Sequence, residues 1–383
     1  MRLPMLNKVR IFVEDNIMQK NEPATAGSKI LSGFVSPINA AVLEKLAVVG
    51  GSVTGRLLMN EFALDCIFTE SDEPTPAIIE TKNDENVCVL ANDVFGQKKR
   101  QAAKHGLFYL EPPYGTVSRY GLIATAASFD RIGVLCAKPE NGLAVLAAIS
   151  GSDKRDGAMR ADADSVSDAL KAIASMTDST ANASDCPANN LRLWFPANIW
   201  EEANDASVIS VMAAKYEIST APFEYLDVCH QTLFILAAAE LCGNTNRFDG
   251  VKFGHRSQNA QHLRDLYYNT RSEGFSRDTK LAILLGAYVL SADNYQSYYE
   301  KAMKIRRLIK ESITFDDYDM IVLPSESEKS KYEQLALYAP AALSGLPSVT
   351  VPANSTFCRN YNSGLQIIGK SWDESWLQII ERR

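Results

Sequence analysis

The chain has 383 residues, of which 46% are hydrophobic and 22% charged, a composition that is typical of a globular protein with a large core and excludes a disordered or fibrous one. Its net charge of −7 argues against a surface built mainly to bind nucleic acid. The seven cysteines are scattered without a C-x-x-C pair, so we expect reduced thiols and neither a disulfide framework nor a structural zinc site.

The N-terminal residues lack the long apolar core of a signal peptide. No apolar run approaches the length that spans a bilayer. The sequence therefore predicts a soluble cytoplasmic protein with no membrane contact.

Short β-like runs alternate with helical patterns, which predicts an α/β fold with a substantial central sheet. The first run, at residues 11–13, ends in two carboxylates, Glu14 and Asp15. Such an acidic pair could be catalytic, could lie in a solvated turn, or could mark a site where other residues were replaced.

A helix is predicted next, capped by Ser36 with Pro37 in its first turn and ended by Gly50 and Gly51. The segment GGSVTG is interpreted as this helix stop followed by a strand. A phosphate-binding loop would need the opposite order of elements and a Lys-Ser/Thr pair.

Cys88 lies in the apolar run VCVLAN and is predicted to be a small buried hydrophobe. The most basic stretch, QKKRQAAKH at residues 97–105, has no interleaved aromatic residues, and we predict a solvated helix face. The four histidines lack H-E-x-x-H spacing. No metal site and no cofactor are predicted.

Farther along, GVLCAK and LAVLAAISG predict a strand and a short helix, and the polar residues 161–185 predict an exposed excursion. LRLWFPANIW predicts a buried strand that leaves through Pro196. Helical tracts follow at residues 223–242 and 276–312, and DMIVLP and PSVTVPAN predict core strands. No repeat or clear linker divides the chain, so we predict a single domain over residues 1–383.

Several stretches resemble one enzyme family, in that family's order. PPYGTVSRYGLIATAASFDRIG at residues 112–133 resembles the K-P-T-Y-G-R-V-S-R-Y-G-L segment of amidase-signature enzymes. It is most similar to the A subunit of the glutamyl-tRNA(Gln)/aspartyl-tRNA(Asn) amidotransferase. The segments EDNI, MNEFAL, NRFDGVKFGHRS and LSGLPSVTVP match the same family.

The resemblance covers nearly the whole chain, from about residue 9 to about residue 370. It implies a single α/β/α domain with a large mixed central sheet flanked by helices. It also implies that this chain lacks the family's usual N-terminal helices and is shortened between residues 65 and 90.

The same resemblance implies which residues stand at the catalytic positions. The family hydrolyses amides with a serine nucleophile, a second serine and a lysine that draws the proton. That lysine belongs to a K-D-N motif, which reads Glu14, Asp15 and Asn16 here, while spacing places the nucleophile at Gln97 and the second serine at Glu73. The resemblance thus implies that the Ser-Ser-Lys motif is missing.

The substrate cleft is implied to be degenerate as well. Only Gly96 remains of the family's glycine-rich oxyanion loop, and apolar residues stand where an Arg and an Asp would clamp glutamine, whose charges such side chains cannot pair. The residues expected to line this vestigial cleft are Asp93, Gly96, Phe248, Leu281, Ala282 and Leu335.

These features favour a catalytically inactive amidase-fold protein, a pseudoenzyme related to protein biosynthesis that acts as a scaffold or binding protein. Its expected partners are amidotransferase B- and C-type subunits or an active paralogue. Two alternatives stay open. The first is a diverged but active amidase or glutaminase-type subunit using Glu14, Asp15, Glu73, Asp93 or the thiol of Cys88. The second is a cleft that binds a small ligand without turning it over.

Overall fold

The fold is described from a computed structural model. It describes residues 6–64, 73–178, 191–201, 206–326, 334–353, 355, 357, 361, 363–373 and 375–380.

Within these residues ten strands form one mixed sheet. The strands are β1 Arg10–Glu14, β2 Val53–Leu57, β3 Val87–Asn92, β4 Phe108–Glu111, β5 Ile132–Cys136, β6 Arg192–Trp194, β7 Glu217–Ser219, β8 Met320–Pro324, β9 Ser348–Val351 and β10 Leu365–Gly369. Their order is β2-β1-β3-β5-β4-β9-β10-β8-β6-β7. The three strands at each end pair in parallel, and the pairs between them are antiparallel.

Helices flank the sheet on both faces. They are α1 Ala41–Val48, α2 Pro76–Asn83, α3 Gln97–Lys104, α4 Pro139–Ile149, α5 Ala163–Asp178, α6 Ala197–Trp200, α7 Ala206–Ala213, α8 Leu226–Thr245, α9 Leu263–Gly274, α10 Arg277–Val289, α11 Lys301–Ser312, α12 Ala339–Ser344 and α13 Trp376–Ile379. A π-helical segment, Tyr295–Glu300, precedes α11. The predicted α/β class with a large mixed sheet is confirmed.

Alternate residues of β1, β3, β4 and β5 enter two different hydrophobic cores, as strand geometry requires. On β1, Ile11 and Val13 belong to the larger core, which includes residues of α1, α4 and α8, whereas Phe12 belongs to the smaller one. The smaller core lies under α2 and α3, with Ile78 and Ala102 contributing. Glu14 follows Val13 and therefore projects toward the α3 face.

Several sequence predictions hold at the level of single elements. The runs around Cys88 and Cys136 are buried strands, and Cys88 is fully buried in the larger core. The segment after Gly50 is a helix stop followed by β2, and DMIVLP and PSVTVPAN contain β8 and β9.

Three predicted elements are wrong in extent or kind. The helix predicted to begin at Ser36 begins at Ala41, because the Ser36 hydroxyl is engaged in a turn with Ile38. The segment 161–185, predicted to be an exposed excursion, contains the amphipathic helix α5, which buries Leu170 and Ile173. The structure describes this segment as far as residue 178. The tract 276–312 is α10, the π-helical segment and α11 in succession.

α8 is a core helix of the fold. By length and composition alone it could cross a membrane, contrary to the expectation that no apolar run reaches that length. Its buried residues pack within the larger core, and it lies so close to α10 that a Cβ on Gly286 would overlap the carbonyl oxygen of Ala238. This tight packing accounts for its apolar composition.

Candidate functional site

The residues of the candidate site meet at one edge of the sheet. β1, β3 and β4 run in the same direction and end there, whereas β5 and β9 begin there. As a result Glu14 at the end of β1, Asp93 just after β3 and Glu111 at the end of β4 lie near one another, beneath the first turns of α3. All three carboxylates are at most 3% exposed.

Glu14 is held by a buried lysine of α3. Its Oε1 lies 3.3 Å from Lys98 Nζ, and both side chains are 1% exposed. Lys98 Nζ also donates to the carbonyl oxygen of Asn92 at 3.1 Å, and the Asn92 N–H donates to Glu14 Oε2 at 3.3 Å. The end of β1, the end of β3 and α3 are therefore joined by one set of charge-assisted contacts.

Glu111 binds two further cations. Its Oε1 lies 3.0 Å from Lys99 Nζ and its Oε2 lies 2.7 Å from Arg131 Nη2. The hydroxyl of Ser348, at the start of β9, donates to Glu111 Oε2 at 2.9 Å. With two cations and a hydroxyl as partners, this carboxylate has little capacity left for a substrate.

Asp93 supports the start of α3. Its Oδ1 accepts the Gly96 N–H at 3.1 Å and its Oδ2 accepts the Lys99 N–H at 2.9 Å. A carboxylate in this place satisfies backbone donors that a helix N-terminus leaves unpaired and is favoured by the helix dipole.

The phenol of Tyr109 is buried close to these three carboxylates. Burial raises its pKa well above the usual range, and the nearby Asp93, Glu111 and Glu14 raise it further. Its hydroxyl donates to the carbonyl oxygen of Ala91 at 3.0 Å.

The prediction that residues 97–105 form a solvated helix face is wrong. The helix exists as α3, but its residues Lys98, Lys99 and Arg100 are at most 3% exposed. Lysine and arginine are almost never buried without partners, and here the carboxylates at the strand ends supply them. Arg100 also reaches Glu326, at 3.4 Å.

A fourth buried carboxylate, Asp130, lies just before β5. It accepts from Asn92 Nδ2 at 2.8 Å and from the Thr125 N–H at 3.0 Å. Burial raises the pKa of Asp130 to about 6, although the hydrogen bonds from Asn92 and Ala126 oppose that shift.

The two positions predicted to correspond to the nucleophile and the oxyanion loop, Gln97 and Gly96, are enclosed by protein. Gln97 is 1% exposed, and its Nε2 has no hydrogen-bond partner among the described residues. Gly96 has φ +85°, and a Cβ there would overlap the side chain of Tyr338. Phe95 packs edge-to-face on Phe234 of α8, with ring centroids 6.4 Å apart. Aromatic side chains thus surround the loop.

Asp15 and Glu73, two of the candidate acid–base groups, make different contacts. Asp15 accepts the backbone N–H of Thr25 at 3.0 Å and pairs with Arg56 at 3.3 Å, so it braces the turn after β1. Glu73 is exposed, and its backbone carbonyl accepts Gln101 Nε2 at 2.8 Å. Residues 65–72, in the segment expected to be shortened, lie outside the described residues.

The remaining predicted cleft residues occupy different surroundings. Leu335 is buried one turn before Tyr338 and so lies close to the loop at Gly96. On α10, Ala282 is buried but Leu281 is 38% exposed. Phe248 stacks on Phe62, with centroids 5.8 Å apart. Among the described residues no hydrogen bond or ring contact joins Leu281 or Phe248 to Gln97.

Sequence reasoning missed Lys98, Lys99, Glu111 and Arg131, the residues that make this edge a charged core. The run QKKRQ was visible but carried no indication of burial. The only signal pointing toward it was the pair of strands that end in acidic residues, Glu14 and Glu111.

The arrangement is a buried network of carboxylates, ammonium groups and guanidinium groups. Within the described part of the chain no group of three or more His, Cys, Asp or Glu side chains could hold a metal ion. Cys88, a candidate nucleophile, is fully buried and lies opposite Cys136 in the sheet, where burial raises the pKa of the Cys136 thiol. The described contacts are suited to holding elements together.

Comparison with known proteins gives consistent matches over nearly the whole chain. The profile of the family described as Amidase matches residues 92–377. The A subunit of the glutamyl-tRNA(Gln) amidotransferase of Lachnoclostridium phytofermentans is 32% identical, covering 96% of this chain and 80% of that protein. The corresponding protein of Bacillus pumilus is 34% identical, covering 97% and 81%. The crystal structure of the A subunit from Thermotoga maritima superposes with a TM-score of 0.64 at 21% identity, covering 96% of this chain and 80% of that one.

Proposed function

This chain belongs to the amidase family, and from that premise we propose that it is a catalytically inactive member that serves as a scaffold or binding protein. We take its setting to be a cytoplasmic amidotransferase-type assembly, with B- and C-type subunits or an active paralogue as partners. The similarity to amidotransferase A subunits supports this setting, because a protein named as a subunit works with others.

The observation that carries the proposal is the ion pair between Glu14 and Lys98. We take position 14 to correspond to the family's proton-relaying lysine, and at this position a carboxylate lies buried against an ammonium group. A base must be within reach of the proton that it abstracts and must be free to accept it. A carboxylate paired in this way is suited to neither task.

The surroundings of Gln97 support the same proposal. An amide side chain is not a nucleophile, and the loop before it carries Phe95 and packs Gly96 against Tyr338. An oxyanion hole needs backbone N–H groups aimed at open space that the substrate oxygen can occupy. At this loop, two of the N–H groups, those of Gly96 and Lys99, already donate to Asp93.

A second candidate function is that of an active amidotransferase A subunit or amidase. It is favoured by identities of 32% and 34% that extend over nearly the whole chain. It requires a nucleophile and a base other than the family's own, drawn from groups such as Asp15, Glu73 or Cys88.

The test is ammonia release by the purified protein from glutamine, asparagine and simple aliphatic amides, with an active amidase as positive control. We expect the rate in buffer alone. Turnover that scales with protein concentration and is abolished in Gln97→Ala or Glu14→Ala, in a variant that circular dichroism shows to be folded, would establish the active alternative. Turnover that survives both variants but is abolished in Cys88→Ala would do the same with a different nucleophile.

The scaffold role has its own test. Affinity purification of this chain from its native cells, followed by mass spectrometry, is expected to recover relatives of the B and C subunits or an active paralogue. Recovery of the same proteins by a matched unrelated bait, or of none of them by this chain, would contradict it.

A further inference from the structure

α9 and α10 form the two walls of an open groove on the surface of the protein. α9 ends at Gly274 and α10 begins at Arg277, so two residues join the helices. The concavity between them has a volume of about 820 Å³. This volume lies within the size range of ligand-binding clefts.

Large apolar side chains line this groove while remaining open to solvent. Leu263 and Tyr268 of α9 are 62% and 72% exposed, and Leu284 of α10 is 65% exposed. Tyr267 and Ile283 contribute to the same lining. Contiguous exposed apolar residues on a globular protein mark an interaction surface.

The charge of the groove is opposite to that of the chain. Among the described residues, its lining includes three cations, Arg264, Arg271 and Lys280, and no carboxylate, although the chain as a whole carries a net charge of −7. Arg271 and Lys280 donate to backbone carbonyls of Thr245 and Ser272. Arg264 forms no ion pair within the described residues, so its charge is available to a partner.

We propose that this α9–α10 groove binds an amphipathic helix of a partner protein, whose apolar stripe is flanked by aspartate and glutamate. The apolar stripe of such a helix would fit between the two walls, and its acidic flanks would meet Arg264 and Lys280. The proposal rests on the proposed scaffold function, because it supplies the docking surface that a scaffold needs.

Two other occupants fit the groove less well. A second copy in a two-fold dimer would place the same cations against one another. A flat bilayer would match the apolar and cationic character, but it would not fill a concave surface between two helices.

The test uses two synthetic helices of about five turns with leucines at i, i+3, i+4 and i+7, one flanked by Glu and the other by Lys. Binding to the full chain is measured by fluorescence anisotropy. We expect the Glu-flanked helix to bind at least about tenfold more tightly than the Lys-flanked one. That preference should shrink between about 0.05 and 0.5 M salt.

Variants locate the binding. Leu284→Asp should weaken the Glu-flanked helix at least about tenfold, whereas the matched control Leu58→Asp, at a position 72% exposed outside the groove, should leave it unchanged. Arg264→Glu should remove most of the preference for the Glu-flanked helix, and it keeps the test decisive if Leu284→Asp does not fold.

Three results would overturn the proposal. The first is equal binding of both helices or binding that Leu284→Asp leaves intact. The second is binding of the protein to phosphatidylserine vesicles that Leu284→Asp abolishes. The third is a dimer, detected by analytical ultracentrifugation, that Leu284→Asp abolishes. The ammonia-release assay on the same preparations tests the proposed function separately. If the protein hydrolyses amides and still binds the Glu-flanked helix, the docking proposal stands and the proposal of catalytic inactivity is wrong.

Discussion

Lys98 Nζ lies 3.3 Å from Glu14 Oε1, with both side chains 1% exposed, and this pair joins the end of β1 to the second residue of α3. Removing two charges from water is costly, and their mutual attraction offsets that cost only when both are present. The free energy of unfolding should therefore fall most when only one of the two residues is replaced.

Replacing Lys98 alone should destabilise the protein strongly. We expect Lys98→Met to lower the free energy of unfolding by about 3–5 kcal/mol, because Glu14 would be left as an uncompensated buried charge. The double variant Glu14→Gln/Lys98→Met should recover a large part of that loss. Urea denaturation followed by circular dichroism measures all three proteins.

An exposed ion pair gives the matched control. Lys171 pairs with Asp168 at 3.0 Å on α5, with side chains 39% and 76% exposed. Lys171→Met should change the free energy of unfolding by less than about 1 kcal/mol. A Lys98→Met variant as stable as Lys171→Met would show that Glu14 and Lys98 do not form a buried pair.

Glu111 should be at least as sensitive, since it serves both Lys99 and Arg131. We expect Glu111→Gln to cost at least about 3 kcal/mol, because two buried cations lose their common anion. The loss should persist at high salt, since buried pairs are screened much less than exposed ones. Glu311→Gln, which breaks the exposed pair with Arg307, is the control; equal effects of the two variants would refute the prediction.

The sheet could be predicted from the sequence because its strands are short apolar runs whose burial follows from composition. β5, β8 and β9 are fully buried along their length, and the sequences GVLCAK, DMIVLP and PSVTVPAN indicate as much. The fold class also followed from motifs distributed along the chain.

The charged core at the strand ends could not be predicted in the same way. Glu14 and Lys98 are far apart in sequence, and nothing near Lys98 shows that α3 lies over three carboxylates. A run of basic residues is solvated unless the fold brings acids to it. The start of α1 was missed for a local reason, because the Ser36 hydroxyl can cap a helix or close a turn with equal ease.

The close contact between Gly96 and Tyr338 can be tested with two alanine substitutions that share one backbone conformation. Gly96 and Gly50 have φ +85° and +83°, but a Cβ at Gly50 would meet nothing within 4 Å. Gly50→Ala should cost about 1 kcal/mol for the left-handed conformation alone. Gly96→Ala should cost clearly more, because the Cβ would overlap the Tyr338 side chain. Equal midpoints of urea unfolding would show that the loop is not packed as described.

His230 should make the protein less stable in mild acid. Burial lowers its pKa to about 4 from the usual 6.5, so below pH 6.5 the unfolded chain takes up a proton that the folded chain does not. The contribution of His230 to the free energy of unfolding should therefore fall as the pH drops from about 6.5 to about 4, by up to about 3 kcal/mol. His230→Gln should remove this contribution, and a pH profile parallel to that of the unmodified protein would contradict it.

Asp130 should act in the opposite direction. Its pKa is raised to about 6 from 3.8, so between these values the folded protein holds a proton that the unfolded chain has released. The contribution of Asp130 to the free energy of unfolding should therefore rise as the pH falls from about 6 to about 4, by up to about 3 kcal/mol.

Because this gain opposes the loss from His230, the unmodified protein should show a shallow profile between pH 6 and 4. Asp130→Asn should expose the acid-destabilising slope of His230, and His230→Gln should expose the acid-stabilising slope of Asp130. Urea denaturation at half-unit pH steps measures both slopes, and variant profiles parallel to that of the unmodified protein would contradict the assignment of either group.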